Sequence, residues 1–328
     1  MNNQNERLLE VENLSVTFHQ KKGTVQAVRG VSFSINRRGE SLGIVGESGS
    51  GKSVSVLALM RLIAEPPGEV RADTLRLKSH DLMRLNKRQL RQIRGGEVGM
   101  IFQEPMTSFD PVFTIGAQLT EAITLHQNVG ERRATEVAKE MLSRVEIPNP
   151  EQILSYYPHQ LSGGMRQRAM IAMALSCNPT VLIADEPTTA LDVTIQAQVL
   201  ELIKELQEEM GMALIVITHD LGVIAETVDR VVVMYGGKVL EEGTVYEIFE
   251  EPAQPYTKAL LQSIPSIDEE RGSKLFVIEG ASPNPAHPPG GCPFHPRCPV
   301  VMDVCSQEFP ARTVLSDTHY AHCWRLSS

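Results

Sequence analysis

The residues Gly46-Glu47-Ser48-Gly49-Ser50-Gly51-Lys52-Ser53 have the types and spacing of a phosphate cradle, G-x-x-x-x-G-K-[ST]. Glycines let the backbone wrap closely enough for its N–H groups to point inward at phosphate oxygens. A helix that starts there adds the positive end of its dipole. In such a cradle Lys52 reaches the β- and γ-phosphates, and the Ser53 hydroxyl ligates Mg²⁺. With Gly near 7% of residues, chance gives this pattern in on the order of one chain in a hundred of this length. A second element supplies acid. Val181-Leu182-Ile183-Ala184-Asp185-Glu186 reads as a buried strand ending in two carboxylates, at the edge where open α/β sheets bind ligands. Adjacent strand side chains point to opposite sides, so the two acids can hold separate jobs. Asp185 would hold Mg²⁺ through its shell. Glu186 would orient and deprotonate an attacking water, a contribution of about 10²–10⁴-fold. Alone, this hexapeptide is a strand ending in exposed acids; beside a phosphate cradle it reads as catalytic.

The elements that must position these residues follow from periodicity. Leu14, Val16 and Phe18 alternate with polar residues, as do Val31, Phe33 and Ile35, and both runs read as strands. Ser41 to Val45 reads as a buried strand feeding the glycine-rich turn. Val54, Leu57, Leu59, Met60 and Ile63 predict a helix packed on a sheet and stopped by Pro66-Pro67. Helical spacing runs from about 115 to 147. The strand at 181–184, a helix around 194–209 and a strand at 213–217 follow in βαβ fashion. Val231 to Tyr235, Gly236-Gly237 and Lys238 to Leu240 read as a hairpin with a two-residue turn. The basic run Asn86 to Arg94 reads as a solvated helix face. After about residue 250 prolines become frequent, which places a domain boundary there.

Composition bounds the class. At 328 residues, 42% hydrophobic and 22% charged, the chain is an ordinary globular protein of one large domain plus an appendage, or two modest ones. A formal charge of -9 argues mildly against a nucleic-acid partner. No run approaches the roughly 20 apolar residues that cross a bilayer. The N-terminus lacks the apolar core of a signal peptide. The expectation is a cytosolic chain, held at any membrane by another polypeptide. Of five cysteines, Cys177 stands alone and reads as a packed small side chain. Cys292, Cys298, Cys305 and Cys323 crowd the end, separated by five, six and 17 residues. From the residues alone an iron–sulfur cluster, a zinc site and free thiols all stay open.

Leu161-Ser162-Gly163-Gly164-Met165-Arg166-Gln167-Arg168 is a second nest for phosphate, a Ser hydroxyl and two glycine backbones leading into a helix. It resembles LSGGQ, the signature of ATP-binding cassette (ABC) proteins, with Met165 in place of the usual Gln. The resemblance covers roughly residues 8 to 250. It implies an α/β P-loop NTPase with a RecA-like core, an antiparallel β subdomain and a helical signature subdomain at about 104–178. It further implies that Ser162 and its neighbours serve the γ-phosphate of ATP bound to an opposite subunit. Gln103 is similar to the Q-loop residue that senses Mg²⁺ and water, Ala190-Leu191-Asp192 to the D-loop, and His219 to the switch histidine beside Glu186. Phe18 is similar to the aromatic that stacks on adenine, a contact of about 1–3 kcal/mol. An alternating strand aromatic is as often core.

Glu104 to Pro111 and Pro255 to Leu261 resemble the ATPase subunits of oligopeptide and dipeptide permeases, which more often carry Asp, Leu and Asn at positions 104, 109 and 110. Gly290-Gly291-Cys292-Pro293-Phe294 and Arg297-Cys298-Pro299, with Cys305 and Cys323, look like that group's C-terminal motif, whose cysteines are associated with a [4Fe–4S] cluster. His295 and His322 lie nearby but need not be ligands. The resemblance thus implies residues 1–250 as an ATP-binding domain and 251–328 as a Cys-rich C-terminal extension. It implies a motor subunit on the cytoplasmic face of the membrane, with ATP and Mg²⁺. Its partners would be two transmembrane permease subunits, a second ATPase subunit and an extracytoplasmic substrate-binding protein. The cargo would be a di- or oligopeptide; related systems carry nickel, metallophores, glutathione or haem. The competing class is a soluble ABC ATPase of DNA repair or translation. Those carry a long coiled coil or two tandem cassettes, and this sequence has neither.

Overall fold

A computed structural model describes residues 7–21, 23–103, 108–188, 192–264 and 276–326. The first stretch of chain forms β1 (Leu9–Gln20), β2 (Gly23–Ile35), β3 (Ser41–Val45), α1 (Lys52–Leu59), β4 (Gly68–Arg71), β5 (Thr74–Leu77) and β6 (His80–Asp81). Then come α2 (Lys87–Ile93), β7 (Val98–Ile101), α3 (Ile115–Gln127), α4 (Glu131–Arg144), α5 (Pro150–Ile153), α6 (Gly163–Leu175), β8 (Val181–Asp185) and α7 (Val193–Met210). The last are β9 (Ala213–Thr218), α8 (Leu221–Thr227), β10 (Arg230–Tyr235), β11 (Lys238–Thr244), α9 (Val245–Glu250), α10 (Pro255–Gln262), β12 (Arg312–Val314) and β13 (Tyr320–His322).

The chain divides into two compact units. The first holds residues up to Asn36, Ser41–Arg84 and Ile217 onward; the second holds Arg37–Glu40 and Leu85–Val216. In the first unit one antiparallel sheet runs β2-β1-β5-β6, with β4 also on β1. Leu14 and Val16 of β1 are buried, as the alternation requires, and Val11 is buried too because the strand's register shifts between Val11 and Leu14. A second set of strands runs β12-β13-β11-β10-β3, with β10 parallel to β3. All five residues of β3 are buried, as a strand covered on both faces demands. The hairpin β10–β11 turns at Gly236 and Gly237, with φ of 56° and 80°. Both central residues of this turn need the left-handed region that glycine enters without strain. The second unit carries most of β9 (residues 213–216), then β8 and β7, with β7 and β8 parallel and buried throughout.

One helical reading needs correction. The apolar spacing through Ile63 does not extend the first helix that far: α1 ends at Leu59, and Arg61 takes a φ of 52°. The helical spacing over 115–147 is met by two helices, divided where Asn128 caps α3 at φ 53° and Gly130 starts α4. Each still buries the predicted face: Leu119 and Ile123 on α3, Met141 and Leu142 on α4. The basic residues Lys87, Arg88 and Arg91 of α2 are exposed, so that run is a solvated face.

Candidate nucleotide-binding and hydrolysis site

Because β3 ends at Val45, the glycine-rich turn leaves the carboxyl end of a buried strand and enters α1 at Lys52. Two glycines are required by close approach. A Cβ on Gly46 (φ 147°) would lie 2.0 Å from the Met234 carbonyl oxygen, and one on Gly51 (φ 99°) would lie 2.5 Å from that of Ala27. Lys52 is only 5% exposed, and its Nζ donates to the carbonyls of Gly46 (2.7 Å) and Glu47 (3.1 Å). These bonds hold the ammonium over the loop it would serve. Ser48 and Gly49 are exposed at the tip. Ser50 Oγ is buried and has no hydrogen-bond partner among the described residues; a buried hydroxyl in that state is costly and marks a place where a polar ligand is expected. Phe18, on β1 opposite Val25 and Gly68, is partly exposed. His219 is exposed directly after β9, and Asp220 next to it caps α8 by accepting from the N–H of Gly222 at 2.8 Å.

The second unit brings Gln103 and Glu186 together. Gln103 Nε2 donates to Glu186 Oε2 at 2.9 Å, although 83 residues separate them. Asp185 is 4% exposed, whereas Glu186 is half-buried. Glu186 adopts φ 46°, a left-handed conformation uncommon for a side-chain-bearing residue. Backbone of this kind costs on the order of 1–3 kcal/mol and persists only where the surroundings enforce it. Its effect is to turn the chain sharply, so the two acids sit in different environments. Ser162 caps α6, its Oγ accepting from the N–H of Met165 at 3.3 Å. Ser162 and Gly163 are exposed. Behind them Arg166 is buried and donates to the carbonyls of Pro158 (3.1 Å) and Leu161 (3.3 Å), and Gln167 donates to that of Pro187 at 2.5 Å. The last bond ties the helix to the segment that follows Glu186. Asp192 caps α7, accepting from the N–H of Ile195 at 3.0 Å. Glu104–Thr107 and Ala190-Leu191 lie outside the described residues.

Sequence reasoning missed a set of residues that buttress the loop. Tyr256 of α10 is fully buried, and its hydroxyl accepts from the Glu47 N–H at 2.8 Å. Tyr235, Tyr256 and Phe294 form one aromatic cluster, with centroid separations of 4.5, 5.3 and 5.2 Å. Burial raises the phenols of both Tyr235 and Tyr256 above their ordinary pKa, so both stay protonated at neutral pH. Arg297 Nη1 donates to both carboxylate oxygens of Glu47, at 3.0 and 2.8 Å. Phe294 and Arg297 lie in the cysteine-bearing stretch already singled out, and Tyr256 in Pro255–Leu261. Their types were visible. Their destination under the phosphate loop was not.

Cys292, Cys298, Cys305 and Cys323 line one cavity, with Phe294, Pro310 and Trp324 among its walls. Burial, reinforced by the neighbouring thiols of Cys305, Cys298 and Cys323, pushes Cys292 up to about 11. Burial also raises Cys298 and Cys323. Among the described residues no group of three or more His, Cys, Asp or Glu side chains is arranged to hold a metal ion. His295 and His322 each engage a main-chain carbonyl through Nδ1, those of Cys292 and Pro310, both at 2.9 Å. Cys177 lies 3.7 Å from the Ala122 carbonyl and burial raises its thiol.

A phosphate loop leaving a buried strand and opening an α-helix, within an α/β fold, defines a P-loop nucleotide-binding protein. Comparison with known proteins narrows this. Residues 28–189 match the ABC transporter family, and residues 240–305 match the oligopeptide/dipeptide transporter C-terminal region. The chain is 51% identical over 319 residues to the dipeptide transport ATP-binding protein DppD of Bacillus subtilis (strain 168), covering 97% of this chain and 95% of that one. It is 58% identical over 270 residues to the glutathione import ATP-binding protein GsiA of Escherichia coli O157:H7, covering 81% of this chain and 43% of that one. A dimeric ATP-binding cassette solved in a post-hydrolysis state with ADP and Pi superposes with a TM-score of 0.62 at 29% identity, over 72% of this chain and 98% of that one. The chain therefore belongs to the ABC transporter ATP-binding proteins, in the group that carries the oligopeptide/dipeptide C-terminal region.

Proposed function

We propose that this chain is the ATPase subunit that energises an ABC importer for di- or oligopeptides. The observation that carries the reading is the Glu186 carboxylate, held by Gln103 at the end of a buried strand, in a chain 51% identical to a dipeptide transport ATP-binding protein. The glutathione import relative favours a small peptide of that kind as a second candidate cargo.

N–H groups of the loop and the Lys52 ammonium bind the β- and γ-phosphates and offset their charge. Ser53 and the buried carboxylate of Asp185 have the hard oxygen donors that suit Mg²⁺, which when bound neutralises charge on the β- and γ-oxygens. Gln103 orients Glu186, which takes a proton from the attacking water. That water forms the new bond to the γ-phosphorus as the bond to the β–γ bridging oxygen breaks and ADP leaves. His219 follows the γ-phosphate, and Phe18 offers a face to adenine. Ser162 and the glycines after it, exposed at the start of α6, meet the γ-phosphate held by a facing subunit. Positioning and charge stabilisation supply most of the rate.

The implied assembly pairs this chain with a second ATPase subunit beneath two transmembrane permease subunits, with an extracytoplasmic binding protein selecting the cargo. Among the described residues no helix is long and apolar enough to cross a membrane, so the permease subunits would hold the chain at the cytoplasmic face. Residues 1–250 would form the motor and 251–328 the extension. The four thiols that line one cavity are soft donors suited to a [4Fe–4S] cluster.

The test is Glu186→Gln, which keeps the Gln103 neighbour but removes the base. Phosphate release should fall by at least about 10²-fold, and gel filtration should show an ATP-dependent dimer that wild-type protein dissolves on hydrolysis. Wild-type turnover by this variant would overturn the assignment of the base.

A further inference from the structure

Every group of Glu47 is tethered. Its N–H donates to the Tyr256 hydroxyl, and its carbonyl accepts from Lys52 Nζ and, at 3.2 Å, from the Ser50 N–H. Its carboxylate accepts from Arg297 Nη1 through both oxygens, and from Ser282 Oγ. Glu47 is the first variable residue of the phosphate loop, so fixing it fixes the path of the chain between Gly46 and Ser48.

The other end of the tether is equally constrained. Arg297 Nη1 also donates to the Tyr235 hydroxyl at 2.9 Å; Nε donates to the Glu279 carbonyl at 2.9 Å and Nη2 to that of Ile278 at 2.8 Å. The Arg297 side chain is 8% exposed. A planar guanidinium fits this arrangement, because its donors leave in fixed directions from one rigid fork. Arg297 adjoins Cys298, which lines the cysteine cavity, and Phe294 lines that cavity while packing on Tyr235 and Tyr256. Two routes therefore run from the cavity wall to Glu47. One passes through the Arg297 guanidinium to the carboxylate, the other through Phe294 and Tyr256 to the N–H.

We infer that Arg297 is a positioning residue for nucleotide binding: it holds Glu47, and thereby the phosphate loop, in its binding shape, so that the cysteine-bearing region sets the affinity for ATP. The inference rests on the reading of Gly46–Ser53 as the ATP site. A coupling of this kind is reciprocal, so ATP must also steady the segment that carries Arg297.

The experiment uses the full chain. ATP affinity is measured by calorimetric titration under conditions without turnover, and KM and kcat for hydrolysis are measured in parallel. Arg297→Gln should raise Kd and KM about ten-fold or more while kcat at saturating ATP stays within about two-fold. Arg297→Lys should fall between, since an ammonium keeps the charge at Glu47 but cannot reach the carbonyls of Ile278 and Glu279 at once. A loss confined to kcat, or unchanged Kd in Arg297→Gln, overturns the inference. Lys52→Ala separates the two levels. If it abolishes ATP binding while Arg297→Gln does not weaken it, the ATP site stands and the inference falls. If Lys52→Ala binds ATP normally, the reading of the loop falls and the inference with it. Should Arg297→Gln not fold, hydrogen exchange on the unmodified chain decides. ATP should slow exchange in 276–298 several-fold, and unchanged exchange there refutes the coupling.

Discussion

Removing one oxygen from Tyr256 isolates the main-chain half of the support under the phosphate loop. Tyr256→Phe keeps the ring that packs on Tyr235 and Phe294 and deletes only the acceptor of the Glu47 N–H, a 2.8 Å bond in part-buried surroundings. A buried donor left without a partner costs about 1–3 kcal/mol. The partial burial of this one points to the lower half of that range, about 1–2 kcal/mol. At about 2–4 °C per kcal/mol for a domain of 150–250 residues, the melting midpoint should fall by roughly 2–8 °C. If ATP binding restores the loop's shape, the same energy appears as a weaker Kd, up to about 30-fold at 1.4 kcal/mol per decade. Thermal unfolding and ATP titration on the same preparations measure both. Tyr256→Leu supplies the contrast, since losing the ring leaves a void in the aromatic cluster and costs several kcal/mol more. If Tyr256→Phe matches wild type in both midpoint and Kd while Tyr256→Leu is destabilised, the ring supports the loop and the hydrogen bond does not.

The docking of the C-terminal strands should depend on pH. His319 is 5% exposed and hydrogen-bonds Glu241 at 2.8 Å, next to the pairing of β11 with β13. The Glu241 hydrogen bond raises the imidazole above its ordinary pKa despite burial, with Glu247 and Glu251 adding to the pull. A raised folded value means that the stabilisation is complete below the unfolded pKa of about 6.5 and is lost as pH rises through the folded value. Urea midpoints should therefore be higher at pH 6 than at pH 9, and His319→Gln should flatten that difference; an unchanged slope in the variant removes His319 from the account. Protein purified without oxygen should be brown with about four irons per chain, and colourless zinc-loaded protein would replace the cluster by a zinc site.

Much of the architecture was legible in the chain itself. Alternation at Leu14 and Val16, the apolar run Ser41 to Val45 and the Gly236-Gly237 turn each specify local structure through period or backbone freedom, and the strands and hairpin formed where those signals stand. The phosphate loop was legible for the same reason, because its glycines are demanded by the backbone path. Helix ends were less so. Apolar spacing ran on through Ile63, but it reports only which residues can face a core, not where the hydrogen-bonded turns stop.

Local chemistry along the chain specifies the identity and order of its pieces: strand, phosphate loop, helix, signature nest, acidic strand and cysteine-rich end. Each rests on contacts a few residues apart. The tertiary structure alone decided that Gln103 meets Glu186 across 83 positions, and that Arg297 reaches Glu47 across 250. Such pairings depend on which sheet edges and loops the folded chain brings together. A hydrogen bond or ion pair leaves no periodic trace in the residues that will form it.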